Sequence, residues 1–153
     1  MAHPIRQVLV GKRELCRQVL GELPAWFGIP EAVDDYVAAV AELPMFAVGR
    51  NGKDAGMLVL RSSYDEACEI YVMGVRPQLH RQGLGRALLE AAEDFARSQG
   101  FRLLYVKTLG PSREDEHYAR TRRFYEALGF VPVEELDGVF GRGNPCLILV
   151  KPL

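Results

Sequence analysis

Residues Glu69 to Leu89 read EIYVMGVRPQLHRQGLGRALL. An apolar, strand-like run ends at Val75-Arg76-Pro77. A short basic segment with two glycines follows, Gly83 and Gly85, and from Leu84 the apolar residues recur at helical spacing. A helix that opens behind small residues presents unpaired backbone N–H groups and the positive end of its dipole, which together attract phosphate. The order strand, glycine loop, helix therefore predicts a phosphate-bearing ligand at this point of an α/β fold.

Several known loops share that order. A P-loop needs GxxxxGK followed by Ser or Thr, and the chain contains no such run. A dinucleotide fingerprint needs GxGxxG directly after its strand. Here Leu88 stands where the third glycine belongs, and Arg76 to His80 separate strand from loop. The stretch resembles the acetyl-CoA loop of the GNAT N-acetyltransferases, with Val75-x-Pro77 at the strand end and Gly83-Leu84-Gly85 leading into a leucine-faced helix. That family's loop usually opens with Arg or Gln, and His80 stands at that place here. A second segment, Tyr118 to Phe130 (YARTRRFYEALGF), is similar to the closing helix-to-strand signature of the same family through Phe124-Tyr125-x-x-x-Gly129-Phe130. The family often carries Asn where Tyr118 stands. The two signatures cover roughly the C-terminal half of the chain.

The resemblance implies acetyl-CoA as cosubstrate and no metal. It implies cofactor contacts from Met73, Gly74, Val75, His80, Arg81, Gln82, Gly83, Leu84, Gly85 and Arg86. The strand ending at Val75 is expected to part from its parallel neighbour, with a bulge at Gly74, and to receive the pantetheine arm along its edge. Tyr125 stands at the family's acid position, where a phenol with a pKa near about 10 stays protonated at neutral pH. Glu69 stands at the offset of a glutamate base. Strand alternation predicts Glu69, Tyr71, Met73 and Val75 on one face. The other reading of Tyr125 is a core tyrosine, and the other reading of Glu69 is a solvated charge at a strand end. Trp26 and Phe27, between the first two helices, are expected beside the acceptor, or else at the edge of the core. His117 and Asp115 are weaker base candidates, since polar residues at a helix start usually cap.

The 153 residues suit one domain, 1–153, with one sizeable core. The net charge of −1 carries no footprint for nucleic acid. Three widely spaced cysteines with no CxxC pair argue against a zinc site or a disulfide framework and for a reducing compartment. The N-terminus lacks the apolar core of a signal peptide, and no run approaches the 18 apolar residues of a membrane span. The expected location is cytoplasmic, away from membranes, and a homodimer stays open.

Strands are expected at Ile5–Val10, Met45–Arg50, Gly56–Ser62, Cys68–Val75, Leu103–Thr108, Phe130–Leu136 and Cys146–Lys151. Helices are expected at Lys12–Leu23, from Pro30 to about Leu43, after Gly83 to Gly100, and over Glu116–Leu128. Asn51-Gly52 signals a hairpin. Gly110–Glu116 and Asp137–Asn144 are expected as specificity loops. The order βααβββαβαββ is α/β, a mixed sheet of about six to seven strands with helices on both faces. The expected reaction is direct attack of a primary amine, on a small molecule or peptide, upon the thioester of acetyl-CoA in a ternary complex. The alternative is a non-catalytic acyl-CoA-binding module.

Overall fold

The structure is a computed structural model, and it describes residues 3–153. The chain runs β1 (Ile5–Val8), α1 (Lys12–Gly21), α2 (Pro30–Ala39), β2 (Met45–Arg50), β3 (Lys53–Tyr64), β4 (Ala67–Val75), α3 (Leu84–Ser98), β5 (Leu103–Leu109), α4 (Glu116–Ala127), β6 (Val131–Gly138) and β7 (Gly141–Pro152). The seven strands form one sheet in the order β1-β2-β3-β4-β5-β7-β6. All neighbours are antiparallel except β4 and β5. The expected element order and mixed sheet are both present.

Two apolar layers hold the sheet between helices. On one face Leu15, Cys16, Val19 and Leu20 of α1 and Val37 of α2 pack against Met45, Met57 and Val59. On the other, Leu84, Leu88, Leu89, Ala92 and Ala96 of α3 pack with Tyr125 of α4 against Leu58, Leu60, Ile70 and Val106. Burying each such leucine contributes about 1.5–3 kcal/mol. Leu88→Ala would remove that contribution and leave a void, at a cost of about 2–5 kcal/mol.

Several boundaries differ from expectation for local reasons. β1 stops at Val8, and Leu9 and Val10 stand exposed at 78% and 84%. α1 ends at Gly21, yet Leu23 still packs under its last turn. The second helix tightens into a 3-10 turn over Val40–Glu42. The Asn51-Gly52 hairpin is as expected, with φ of 53° and 78° at the two residues. Asp137–Asn144 is not a loop. β6 and β7 run through it to a tight turn at Val139-Phe140, with Gly138 opposite Gly141. Strands exposed on both sides lack the apolar alternation that marks a strand in sequence.

The feature that shapes the site is a parting of strands. β4 and β5 pair only over Ala67–Ile70 and Leu103–Val106. Beyond that point β4 stays with β3 as far as Val75, and β5 stays with β7 as far as Leu109. Each strand keeps its outer partner and loses its inner one. The break begins at a bulge: Leu60 faces Ile70 and Val59 faces Val72, so Tyr71 has no partner on β3. The bulge is at Tyr71 and not at Gly74.

Candidate active site

A cleft of about 1100 Å³ fills the wedge between the parted strands. Met73, Gly74, Val75, His80, Arg81, Gly83, Leu84, Gly85, Arg86, Trp26, Phe27 and Tyr125 all line it. Of the site candidates named from the sequence, Gln82, Glu69 and His117 are not on its wall, whereas Asp115 is.

The loop before α3 turns through two left-handed residues. Arg81 and Gly83 both take left-handed backbone, with φ of 62° and 78°. Gly83 accepts that conformation without cost, whereas a residue with a Cβ such as Arg81 adopts it at a cost of about 1–3 kcal/mol. Gly83 caps α3, and no acidic residue stands in the first turn to compete for the free N–H groups of Leu84, Gly85 and Arg86. The His80 ring turns back to bond the Val75 carbonyl through Nε2 at 2.6 Å, which ties the loop to the strand end. His3 Nε2 meets the Gln82 carbonyl at 2.8 Å from outside. The Gln82 side chain is turned inward, its Oε1 buried without a partner. Arg86 is largely exposed and pairs with Glu90 at 3.1 Å.

Gly85 answers a different need. A Cβ there would lie 3.1 Å from the Phe124 ring, so the glycine lets α4 close on α3. Gly74 likewise leaves room for Leu23, whose Cδ1 would be 2.7 Å from a Cβ. Its role is close packing under α1.

Tyr125 belongs at once to the core and to the cleft. It is 4% exposed, its ring meets Phe124 and Phe130 edge-on, and it lines the wedge. Burial first, then Tyr118 and Tyr36, push its phenol well above the ordinary value near 10. The phenol is therefore held in its protonated form at neutral pH. Tyr118 donates its hydroxyl to the Trp26 carbonyl at 2.8 Å, and burial raises its pKa to about 12. Trp26 in turn donates Nε1–H to the Thr121 hydroxyl at 3.0 Å and meets the His80 and His117 rings edge-on. These bonds fasten the α1–α2 connection to α4 across the cleft. Asp115 caps α4, accepting from the Tyr118 N–H at 3.1 Å.

Glu69 departs from expectation. The bulge breaks strand alternation, so Tyr71 and Glu69 sit on the α1–α2 side while Met73 and Val75 pack against the α3 side. Nor is Glu69 a solvated strand end. It is 3% exposed, and its Oε1 accepts from Arg61 Nε at 3.1 Å and Nη2 at 2.8 Å. Lys107 Nζ lies 3.6 Å from Oε2. Arg61 itself lies over the Tyr71 ring at 4.2 Å.

Sequence reasoning missed Tyr36, Tyr71, Lys107 and Thr121 as cleft-lining residues, while Arg113 lies in the expected specificity loop Gly110–Glu116. For Lys107 a signal was present. Leu104, Val106 and Thr108 alternate with Tyr105 and Lys107, which marks Lys107 as facing away from the α3 layer. Tyr36 lies far from the rest in sequence and carries no such mark.

The Acetyltransferase (GNAT) family model matches residues 16–130, well over half of the chain. The chain belongs to the GNAT acetyltransferase family. Among curated proteins it is 34% identical over 85 residues to the ribosomal protein bS18-alanine N-acetyltransferase of Escherichia coli, covering 56% of this chain and 53% of that one. The chain thus spans about half the length of that relative. Among solved structures, one described as a GNAT-family acetyltransferase from Desulfovibrio desulfuricans aligns over 99% of both chains, with a TM-score of 0.78 and 25% identity. A GNAT acetyltransferase from Elizabethkingia anophelis with acetyl-CoA bound aligns over 99% of this chain and 98% of that one, with a TM-score of 0.71 and 17% identity. Among the described residues no helix is long and apolar enough to cross a membrane. Cys16, Cys68 and Cys146 are buried free thiols.

Proposed function

We propose that this GNAT protein is an N-acetyltransferase that moves the acetyl group of acetyl-CoA to a primary amine by direct attack in a ternary complex. The parting of β4 from β5 directly before the left-handed loop of α3 carries this reading. The residues present fit the cosubstrate. The first turn of α3 offers free N–H groups and no carboxylate to a pyrophosphate, with Arg81 beside it. The inner edge of β4 beyond Ile70 has no strand partner, and an amide-bearing arm can pair with such an edge.

When bound, acetyl-CoA supplies an activated thioester. The protein's part is placement and proton handling. A backbone N–H in the Met73–Val75 segment is the donor to the thioester carbonyl, and a preorganised donor of this kind is worth roughly 3 kcal/mol. Tyr125 returns a proton to the departing thiolate. Trp26 and Phe27, with Tyr36 and Tyr71, form the acceptor wall. Glu69 takes the amine proton through water rather than by contact, because its carboxylate is not on the cleft wall.

That same placement of Glu69 favours the alternative of a non-catalytic acyl-CoA-binding module. Thiol release separates the two. Purified protein incubated with acetyl-CoA and a panel of amines should liberate free CoA above the uncatalysed rate. Tight acetyl-CoA binding with no thiol release from any amine would leave the binding module as the function.

A further inference from the structure

We infer that the acceptor is an amine that also carries a carboxylate, and that Lys107 reads it. This rests on the acetyltransferase reading above. Val106 is the last residue of β5 paired with β4, so Lys107 is the first to stand in the open wedge. Its neighbour across the parting is Tyr71, the first unpaired residue of β4. Lys107 lines the cleft and keeps 32% of its side chain accessible. Tyr71 belongs to the acceptor wall proposed above, so Lys107 stands beside the approach of the amine.

The charges around it do not cancel. Glu69 is the only carboxylate within salt-bridge distance of Lys107 among the described residues, and its Oε1 is engaged at closer range by Arg61. Of the charges in ion-pair contact here, two cations face one carboxylate; Asp35, whose charge reaches the Tyr71 phenol, makes no such contact with Lys107. The contact at 3.6 Å is loose for a charge-assisted bond, so N–H donors of Lys107 remain for a ligand anion. Arg113, hydrogen-bonded to Asn144, lines the cleft as well, as do Arg81, Arg86, Arg120 and Arg123. The single carboxylate lining the cleft is Asp115, whose Oδ1 already caps α4. Such a wall repels a polycation such as a polyamine. It favours a ligand whose negative group sits close to its amine.

The test uses the whole chain and ligand pairs that differ only in charge: apolar and aromatic amino acids, their amides, and spermidine. Thiol release reports turnover. Quenching of Trp26, the only tryptophan of the chain and part of the cleft wall, reports binding in the presence of CoA without turnover. The carboxylates should be preferred over their amides by at least about tenfold in kcat/KM or in Kd. Lys107→Met should collapse that preference, and Lys107→Arg, which keeps the charge, should retain it. Equal or better use of amides or spermidine, no binding of any carboxylate, or an unchanged preference in Lys107→Met would overturn the inference. The acetyltransferase reading is judged separately by thiol release with any amine in the panel. Turnover of an amide or of spermidine alone would sink the carboxylate and leave that reading standing.

Discussion

Ile70 of β4 and Val106 of β5 are the last partners across the one parallel seam of the sheet. Everything proposed for the site depends on what happens after them. Had the seam continued to Val75, the backbone groups of Met73 to Val75 would be spent on β5 and the cleft would be closed. The bulge at Tyr71 starts the break, and the outer partners β3 and β7 hold the two strands apart.

Gly83→Asp should abolish acetyl-CoA binding in a folded protein. The substitution places a negative charge at the cap of α3, where the anion is to sit. The backbone there is left-handed, which Asp tolerates better than most residues, and a Cβ would meet only the His3 ring at 3.5 Å. Circular dichroism checks the fold and calorimetry the affinity. Parent-like affinity in a folded variant would remove the pyrophosphate from this loop.

Tyr125→Phe should lower turnover by about 10²–10⁴-fold and leave acetyl-CoA affinity nearly unchanged. The ring contacts with Phe124 and Phe130 survive the change. The pH profile of the parent carries the sign. An acid works below its pKa, and burial raises that of Tyr125, so its deprotonation should cause no alkaline fall in the parent's rate up to about pH 10. A full-rate variant would return Tyr125 to packing alone.

Much of this was legible in the sequence, and the exceptions have physical causes. The glycine loop, α3 and the Asn51-Gly52 hairpin follow from local patterns of φ preference and helical spacing, whereas the acid position of Tyr125 is implied by the family resemblance alone. The bulge at Tyr71 does not, because it is a mismatch of register between β3 and β4 and leaves no mark in either strand alone. Misjudging it put Glu69 on the same face as Met73. The partners of Glu69 were hidden for the same reason: Arg61 is its cross-strand neighbour, and Lys107 comes from beyond α3. Gly85 was read as part of the phosphate loop, and its contact with Phe124 shows a packing need that only the α3–α4 approach reveals.

Glu69→Gln should lower the rate at neutral pH, with partial recovery at high pH where more of the amine is already neutral. It should also lower the melting temperature, since Arg61 and Lys107 lose their shared carboxylate. A rate profile that overlays the parent, with only the melting temperature changed, would make Glu69 a structural ion-pair partner and nothing more.

Stability should fall as pH rises above about 9. Burial pushes the thiols of Cys16 and Cys68 up from 9.0 to about 11. Above pH 9 the unfolded chain releases these protons while the folded chain holds them, so each thiol's contribution is full below 9 and lost between 9 and 11. The slope is on the order of 1 kcal/mol per pH unit per thiol. Melting curves of Cys16→Ala and Cys68→Ala should show a shallower alkaline decline than the parent. Parallel declines would contradict the assignment.

On the function proposed above, the wedge between β4 and β5 holds acetyl-CoA. A thermal-shift titration with acetyl-CoA tests it most directly, because a ligand bound to the folded state alone stabilises it by about 2.7 kcal/mol at a hundred times its Kd. A saturable rise in melting temperature of several degrees is expected, absent in Gly83→Asp. A melting temperature that acetyl-CoA leaves unmoved, with no heat of binding in calorimetry, would contradict it.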